Sequence, residues 1–151
     1  MSGRAQAVLT EFAWTVGLDD LAFDADGHCV LGIDAVIVNL ERDEEGGMVV
    51  LYSVIGRPGG DATAVHRALL RAQYLGVETR GMTFGLRPED DAVVLSRALD
   101  LATLDVASFQ AALQAFVDMA EAWTARLPEL GTAAGDASAS REATMPPGLR
   151  A

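Results

Sequence analysis

Apolar residues recur along this chain with two periods, one typical of α-helices and one typical of β-strands. Between Asp105 and Leu127 the large apolar side chains return every three or four positions, which places them on one face of a helix. Asp105 can accept hydrogen bonds from the free amides of the first turn. Pro128 has no amide hydrogen to donate, so we expect the helix to end close to Leu127.

The same period predicts two shorter helices earlier in the chain. The first covers residues 4–17, where Gly17 is typical of the left-handed residue that ends a helix. The second begins after a cap at Asp61 and runs to about Leu75, with Gly76 as its stop.

Short apolar runs between these two helices predict strands. Residues 36–40 and 48–55 are apolar on both faces, so we expect helices or a second subunit to cover the sheet on each side. Before them, the dipeptide at 26–27 is Asp-Gly between alternating apolar residues. This dipeptide predicts a two-residue hairpin that sets Phe23 opposite Val30.

The order of elements predicts the fold class. A last hairpin of residues 82–87 and 92–99 follows the second helix, which gives the order α-β-β-β-α-β-β-α. Consecutive strands on short turns favour antiparallel pairing, so we predict an α+β fold, a twisted antiparallel sheet with three helices. Residues 1–130 form the predicted domain. Residues 131–151, rich in Ala, Gly, Ser, Thr and Pro, are predicted to be a disordered tail.

Composition narrows the classes of partner and compartment. The chain has 151 residues, of which 50% are hydrophobic, and a net charge of −11. Such a charge argues against nucleic acid and anionic membranes, which attract clusters of Lys and Arg. No apolar run approaches the roughly 18 residues of a membrane span, and the first residues lack a secretory signal. Because the single Cys29 also fits a reducing compartment, we predict a cytoplasmic protein without membrane insertion.

No residue pattern predicts catalysis, a cofactor or a metal. Residues 24–29 bring two Asp, a His and a Cys together, but their spacing fits neither a calcium loop nor a zinc site. The glycines of residues 55–60 lack the Lys-Ser/Thr end of a phosphate loop and indicate a strand-to-helix turn. His66 has no nucleophile pattern beside it. We therefore predict a protein that is not an enzyme.

The C-terminal half carries one further pattern, GLRPEDDAVVLSRALDLATLDVASFQAALQAFVDMAEAW. Here a strand, a Pro-acidic turn, a strand that ends in Ser-Arg, and a helix that begins with Asp follow one another. Together with the segment LAFDADGHCVLGID and the two apolar strands after it, this order resembles the class I type III secretion chaperones, the CesT or Tir-chaperone family. The resemblance spans about residues 5–130, and the tail and the absence of Lys are departures outside it.

The resemblance implies a homodimer that binds a partly unfolded segment of a secreted effector protein. Such a dimer would keep that segment soluble and competent for secretion without ATP hydrolysis. The second helix and the strand after it would form the dimer interface, with Val65, Leu69, Tyr74, Met82, Phe84 and Leu86. The first helix and the first hairpin would bind the effector, with Leu9, Phe12, Trp14, Leu21, Phe23 and Leu31.

Two other interpretations remain open at this stage. The chain could be a regulatory interaction domain, which binds a folded partner rather than an extended segment. It could also be an α+β domain that binds a small molecule between sheet and helices, for which saturable binding would be the evidence.

Overall fold

The computed structural model describes the backbone of residues 2–144 and the side chains of residues 3–132. In chain order the elements are α1 (Ser2–Val16), β1 (His28–Ile33), β2 (Val36–Asp43), β3 (Met48–Gly56), α2 (Ala62–Gln73), a 3₁₀ turn (Tyr74–Gly76), β4 (Thr83–Leu86), β5 (Val93–Asp100) and α3 (Val106–Thr144). Over the described residues, this is the predicted order of three helices and five strands.

The five strands form a single antiparallel sheet in the spatial order β1-β2-β3-β5-β4. This order makes β1 and β4 the two edges of the sheet. Each strand is antiparallel to its neighbours. The three strands before α2 pair in chain order, and β5 rather than β4 pairs with β3. The predicted α+β class with an antiparallel sheet is confirmed.

One face of the sheet, the inner face, forms the core with the helices. Buried strand residues alternate with more exposed ones, as the pleat requires. α3 supplies the largest buried side chains, Trp123, Phe109 and Phe116. The Phe109 ring meets Phe12 of α1 edge to face with centroids 5.1 Å apart, and Trp123 meets Phe84 of β4 at 4.9 Å. α3 therefore joins α1 to the far edge of the sheet.

Side-chain caps start α2 and α3 where the sequence predicts them. The Asp61 carboxylate accepts from the amides of Thr63 at 3.0 Å and Ala64 at 3.3 Å. The Asp105 carboxylate accepts from the Ser108 amide at 2.7 Å, and the Ser108 hydroxyl accepts from the Asp105 amide at 3.0 Å. Hydrogen bonding from Ser108 also lowers the pKa of Asp105. Each cap satisfies amides that the first helical turn leaves free.

Left-handed residues end α1 and the segment after α2. Gly17 has a φ of 73° and Gly76 a φ of 68°, as predicted for helix stops. α2 itself ends at Gln73, and the 3₁₀ turn carries the chain on to Gly76. Within that turn Leu75 is also left-handed, with a φ of 55°.

The predicted first arm of the hairpin around residues 26–27 is wrong. Residues 21–24 form no strand, and β1 pairs with β2 instead. Val30 therefore lies opposite Asn39 and not opposite Phe23. The Phe23 amide donates to the Gln6 side-chain oxygen of α1 at 3.0 Å, so this segment lies against a helix rather than in the sheet.

A tight turn before β1 uses the polar residues that the sequence clusters there. The Asp24 carboxylate accepts from the amides of Asp26 and His28, each at 2.9 Å, and Gly27 has a φ of 80°. These bonds, first the one from His28, lower the pKa of Asp24. Across the described residues, no three His, Cys, Asp or Glu side chains gather as metal ligands would. Turn formation accounts for this cluster.

α3 continues past the predicted end at Leu127 and reaches Thr144. Pro128 removes one main-chain hydrogen bond, a loss that a helix tolerates when packing holds the neighbouring turns. Here Leu127 is buried in the core, and Gly131 lies directly against Gly59 in the loop before α2. Packing on this loop thus extends the helix where the local sequence favours a stop.

The predicted division into a domain and a tail remains a prediction. The boundary at residue 130 falls inside α3, whose backbone is helical to Thr144. Residues 145–151 lie outside the described residues, as do the side chains from 133 onward.

The other face of the sheet, called the outer face, is covered by no helix among the described residues. Its strand residues are His28, Val30, Gly32, Ile37, Asn39, Glu41, Asp43, Met48, Val50, Tyr52, Val54, Thr83, Gly85, Val94, Ser96, Ala98 and Asp100. Val30, Ile37 and Val54 are 52%, 62% and 42% exposed. The sequence predicts cover on both faces, and the described chain covers only one.

The contact between α3 and the loop before α2 is tested by Gly131→Ala. A Cβ atom at residue 131 would overlap the Gly59 carbonyl oxygen and lie 3.2 Å from the Asp61 amide nitrogen. We expect this variant to lower the free energy of unfolding by about 1–3 kcal/mol in urea titrations, although Ala favours helices over Gly. Gly3→Ala in α1 is the control, because its Cβ would meet nothing within 4 Å. Equal effects of both changes would contradict the contact.

Asp90 links the turn between β4 and β5 to the loop after β3. Its carboxylate accepts hydrogen bonds from the guanidinium groups of Arg87 and Arg57, each with a shortest distance of 2.6 Å. The hydrogen bond from Arg87 is the largest of the effects that lower the pKa of Asp90. Because the folded pKa lies below the unfolded value of about 3.9, the ionised group stabilises the fold above that pH. This contribution disappears as the pH falls through the folded pKa.

Asp90→Asn should therefore melt at a lower temperature than the unchanged protein near neutral pH. The difference in melting temperature should shrink as the pH falls from about 4 toward the folded pKa of Asp90, because the unfolded chain then binds a proton at this carboxyl group and the folded protein does so only at lower pH. Glu89→Gln is the control, since Glu89 takes part in none of the described ion pairs. A difference that stays constant from neutral to acid pH would rule out this role of Asp90.

Candidate partner-binding surfaces

The residues predicted to bind an effector lie around α1 and β1 at different depths. Leu9, Phe12 and Leu31 belong to the core and are almost fully buried. Leu21 and Phe23 are half-buried and pack against that core from the segment after α1. These five side chains shape the surface here, and none of them projects far from it.

Trp14, the sixth residue of this set, is 86% exposed. It projects from α1 because Phe12 and Ala13 of the same turn fill the core. A shallow depression beside its ring is lined by Gly3, Gln6, Ala7, Thr10 and Glu11. An indole ring buries a large apolar area with few rotatable bonds, so an exposed Trp is typical of a protein contact.

A groove opens between the end of α1, β1 and α3. It is lined by Phe12, Val16, Leu18, Leu31, Gly32, Ile33, Gln110, Leu113 and Gln114. Phe12 and Leu31 of the predicted set therefore meet in one place. The exposed rim residues Val16 and Leu18, and the half-buried Ile33, are not in that set. The signal for Leu18 was its position after Gly17, since an apolar residue often follows a left-handed helix stop.

The edge strand β1 borders this groove. β2 pairs with one side of β1, and no strand of the described residues pairs with the other. The free main-chain groups on that side can accept a further strand. An extended segment added there would point alternate side chains toward the groove.

The residues predicted for a dimer interface also divide by depth. Val65, Leu69 and Met82 are buried within one chain, and Phe84 is half-buried against Trp123. Two residues of the set are exposed, Tyr74 at 72% and Leu86 at 42%.

Four exposed apolar side chains form a cluster at the end of α2, called the α2 ridge. It consists of Leu70, Tyr74, Leu75 and Val77, which are 69%, 72%, 81% and 76% exposed. Only Tyr74 of these belongs to the predicted set. Leu75 is held in a left-handed conformation that costs a non-glycine residue about 1–3 kcal/mol. Its conformation could not be foreseen, whereas Leu70 was signalled by its place off the apolar stripe of Val65, Leu69 and Ala72.

The surface beside the α2 ridge is basic, although the chain is strongly acidic. A depression there is lined by Thr63, His66, Arg67, Leu70, Arg71 and Tyr74. Arg67 and Arg71 take part in none of the ion pairs among the described residues. The His66 Nε2 atom is buried and has no hydrogen-bond partner in the described part of the chain. Apolar area with free donors at its border suits contact with another protein.

None of the described helices has the length and apolar character to cross a bilayer. The groove beside α1 and the α2 ridge both contain apolar side chains beside main-chain or polar groups that a partner could bond.

Comparison with known proteins identifies the fold and the family. The family model described as the Tir chaperone protein (CesT) family matches residues 7–124. The chain is 26% identical over 125 residues to the protein CPj0713/CpB0740 of Chlamydia pneumoniae. The matched residues make up 81% of this chain and 95% of that protein.

Solved structures agree with this match. A chain of the ExsC-ExsE complex has a TM-score of 0.74 and 26% identity, over 85% of this chain and 96% of its own. A chain of the HopA1-SchA chaperone-effector complex has a TM-score of 0.70 and 18% identity, over 85% of this chain and 95% of its own. The family match includes the groove beside α1 and the α2 ridge. The chain therefore belongs to the Tir chaperone protein (CesT) family, a family of type III secretion chaperones.

Proposed function

We propose that this protein is a homodimeric cytoplasmic chaperone that binds an extended segment of a secreted effector and keeps it soluble and competent for secretion. The observation that carries this proposal is the open edge of β1 beside an apolar groove. Membership of the family supports it, as do the structural neighbours, one of which is a chaperone-effector complex by its name.

The edge of β1 and the groove beside α1 would make different contributions to binding. The free amides and carbonyls of β1 would bond the main chain of the segment, which gives affinity without dependence on sequence. The groove would take its alternate side chains and give specificity. Such binding consumes no nucleotide and forms no covalent bond, so the protein acts as a binding partner and not as an enzyme.

The six predicted effector-binding residues take different parts in this proposal. Trp14 would contact the effector directly, because its ring is open to solvent. Leu21 and Phe23 would offer their exposed edges, and Val16 and Leu18 would join them at the rim of the groove. The buried members, Leu9, Phe12 and Leu31, would hold the shape of the surface from beneath.

A second copy of the chain is the proposed partner of the α2 ridge. Leu70, Tyr74, Leu75 and Val77 would be buried against the partner around a two-fold axis, where each residue contacts its counterpart or a neighbour of it. Burial of such exposed apolar side chains is the main favourable term in forming an interface. Of the predicted dimer residues, Tyr74 and Leu86 would contact the partner directly. Val65, Leu69, Met82 and Phe84 would support the interface from within each chain.

The charge of the protein suits effector segments that are basic. A net charge of −11 attracts a basic chain from a distance and speeds encounter more than it tightens the complex.

Leu18→Asp tests the groove. Leu18 is 42% exposed, so the variant should fold normally, while a carboxylate at the rim would oppose burial of apolar effector side chains. We expect the affinity for a synthetic N-terminal segment of the effector encoded beside the gene to fall about tenfold or more in calorimetric titration. Ala122→Asp, at an exposed position of α3 away from the groove, is the matched control. If Leu18→Asp binds as the unchanged protein does, the groove is not the effector site.

Leu70→Asp tests the dimer. Leu70 is 69% exposed in the isolated chain, so the substitution should leave the fold of each protomer intact. Two carboxylates would then be buried across the two-fold axis, and we expect the dimer to dissociate at least about tenfold more readily. Light scattering after size-exclusion chromatography at micromolar concentration measures this. Thr10→Asp, on the exposed side of α1, is the reference. If Leu70→Asp leaves the stability of the dimer unchanged, the interface lies elsewhere.

A further inference from the structure

The pairing of β1 with β2 decides which main-chain groups of β1 remain free. The Arg42 amide at the end of β2 donates to the carbonyl of Gly27, one residue before β1, at 2.8 Å. In an antiparallel pair, residues that exchange main-chain bonds alternate with residues that do not. Cys29, Leu31 and Ile33 therefore bond β2. The amides and carbonyls of the β1 residues between them point away from β2, toward the open edge.

Asp24 already fills the first of these free positions, which is at His28. The His28 amide donates to the Asp24 carboxylate at 2.9 Å, and the His28 carbonyl accepts from the Asp24 amide at 2.9 Å. The next two positions are Val30 and Gly32, and no hydrogen bond among the described residues uses their outward groups. The open edge of β1 thus offers two amides and two carbonyls.

These free groups favour an antiparallel segment. One residue of an antiparallel strand bonds both groups of Val30, and the next residue but one bonds both groups of Gly32, so a stretch of three residues uses them all. A parallel strand would spread the same bonds over five residues. The first of those five would stand opposite Cys29, beside the place that Asp24 fills. The edge therefore suits an antiparallel strand, like the other pairs of this sheet.

The groove beside α1 receives the side chains that such a segment turns inward. Residues directly opposite each other in a sheet point to the same face, so the segment residues opposite Leu31 and Ile33 point toward the groove. None of the residues that line the groove is charged. A charged side chain would lose its water there without gaining a partner of opposite charge. Apolar side chains at two alternate positions fit this site.

We propose that β1 and the groove select a short antiparallel segment with apolar side chains at two alternate positions, and that Asp24 ends its pairing. The first apolar residue lies opposite Ile33 and the second opposite Leu31. The residue between them points to the outer face. After the residue opposite Val30 the segment leaves the sheet, because Asp24 holds the bonds of His28. This inference rests on the proposed function and specifies which effector sequences the site accepts.

Hydrogen exchange of the β1 amides tests the register. Binding of the synthetic N-terminal segment of the effector should slow exchange of the Val30 and Gly32 amides about tenfold or more in NMR measurements. The His28 amide should not change, because Asp24 already bonds it.

The possible results of this exchange experiment are distinct. If the segment binds while the Val30 and Gly32 amides exchange as before, the inference is wrong and the proposed function stands. If the segment does not bind at all, the proposed function is wrong as well. If both amides are slowed in the protein alone, more strongly at higher concentration, a second copy of the chain occupies the edge and the inference is wrong.

A pair of N-methylated peptides tests the pattern without knowledge of the effector. Each peptide alternates Val and Thr over about eight residues, with Lys at both ends for solubility. One is methylated on the amide of every Val and the other on the amide of every Thr. With Val in the groove, the Thr amides face β1, so only the peptide methylated at Val should bind in NMR titration. Binding by both peptides, by neither, or only by the one methylated at Thr would overturn the pattern.

Val30→Pro removes one free donor from the edge. Because this amide faces away from β2, an edge strand tolerates Pro here, and circular dichroism checks the fold. We expect the variant to bind the effector segment about tenfold more weakly or worse, whereas Val30→Ala, which keeps the amide, should bind nearly as the unchanged protein does. Equal losses in the two variants would assign the effect to the side chain and contradict the inference. The exchange and peptide experiments decide the question even if Val30→Pro does not fold.

Discussion

The packing of α3 across the inner face of the sheet is the contact on which the rest of the structure depends. Phe109, Phe116 and Trp123 cover strand residues such as Leu40 and Leu51, which are completely buried. Through its aromatic contacts α3 also holds α1 at one end and β4 at the other. A sheet of this size needs an apolar layer on one face to be stable in water, and α3 is the longest element that provides it.

The same packing explains why so much apolar surface stays open. One set of helices covers one face, and half of the residues of the chain are hydrophobic. The excess lies in the groove beside α1, on the α2 ridge and on the outer face of the sheet. Charge keeps such a chain dissolved while partners are absent, because a net charge of −11 opposes association of like surfaces. The open surfaces and the acidic composition are therefore two parts of one arrangement, suited to a protein that works by binding others.

Much of the fold followed from the sequence, because local bonds decide where helices start. Asp61 and Asp105 cap α2 and α3 through amides within their own first turns. Two predictions failed where a distant contact overrides the local pattern. Phe23 follows a strand pattern, but its amide bonds Gln6 of α1. Helix α3 passes Pro128 because its later turns pack on the loop before α2.

The candidate sites were harder to predict than the fold, because spacing shows which side chains share a face but not which face is covered. Leu9 and Leu69 satisfy the pattern of an apolar surface, and both lie in the core. Leu70 and Leu75 are exposed because α2 turns one side to α3 and because Leu75 adopts a left-handed conformation. The sequence by itself determined the elements, their antiparallel pairing and the resemblance to a chaperone family, since these depend on short-range periodicity and order. Only the tertiary structure decided which apolar residues remain exposed, since that depends on the one face of the sheet that the helices cover.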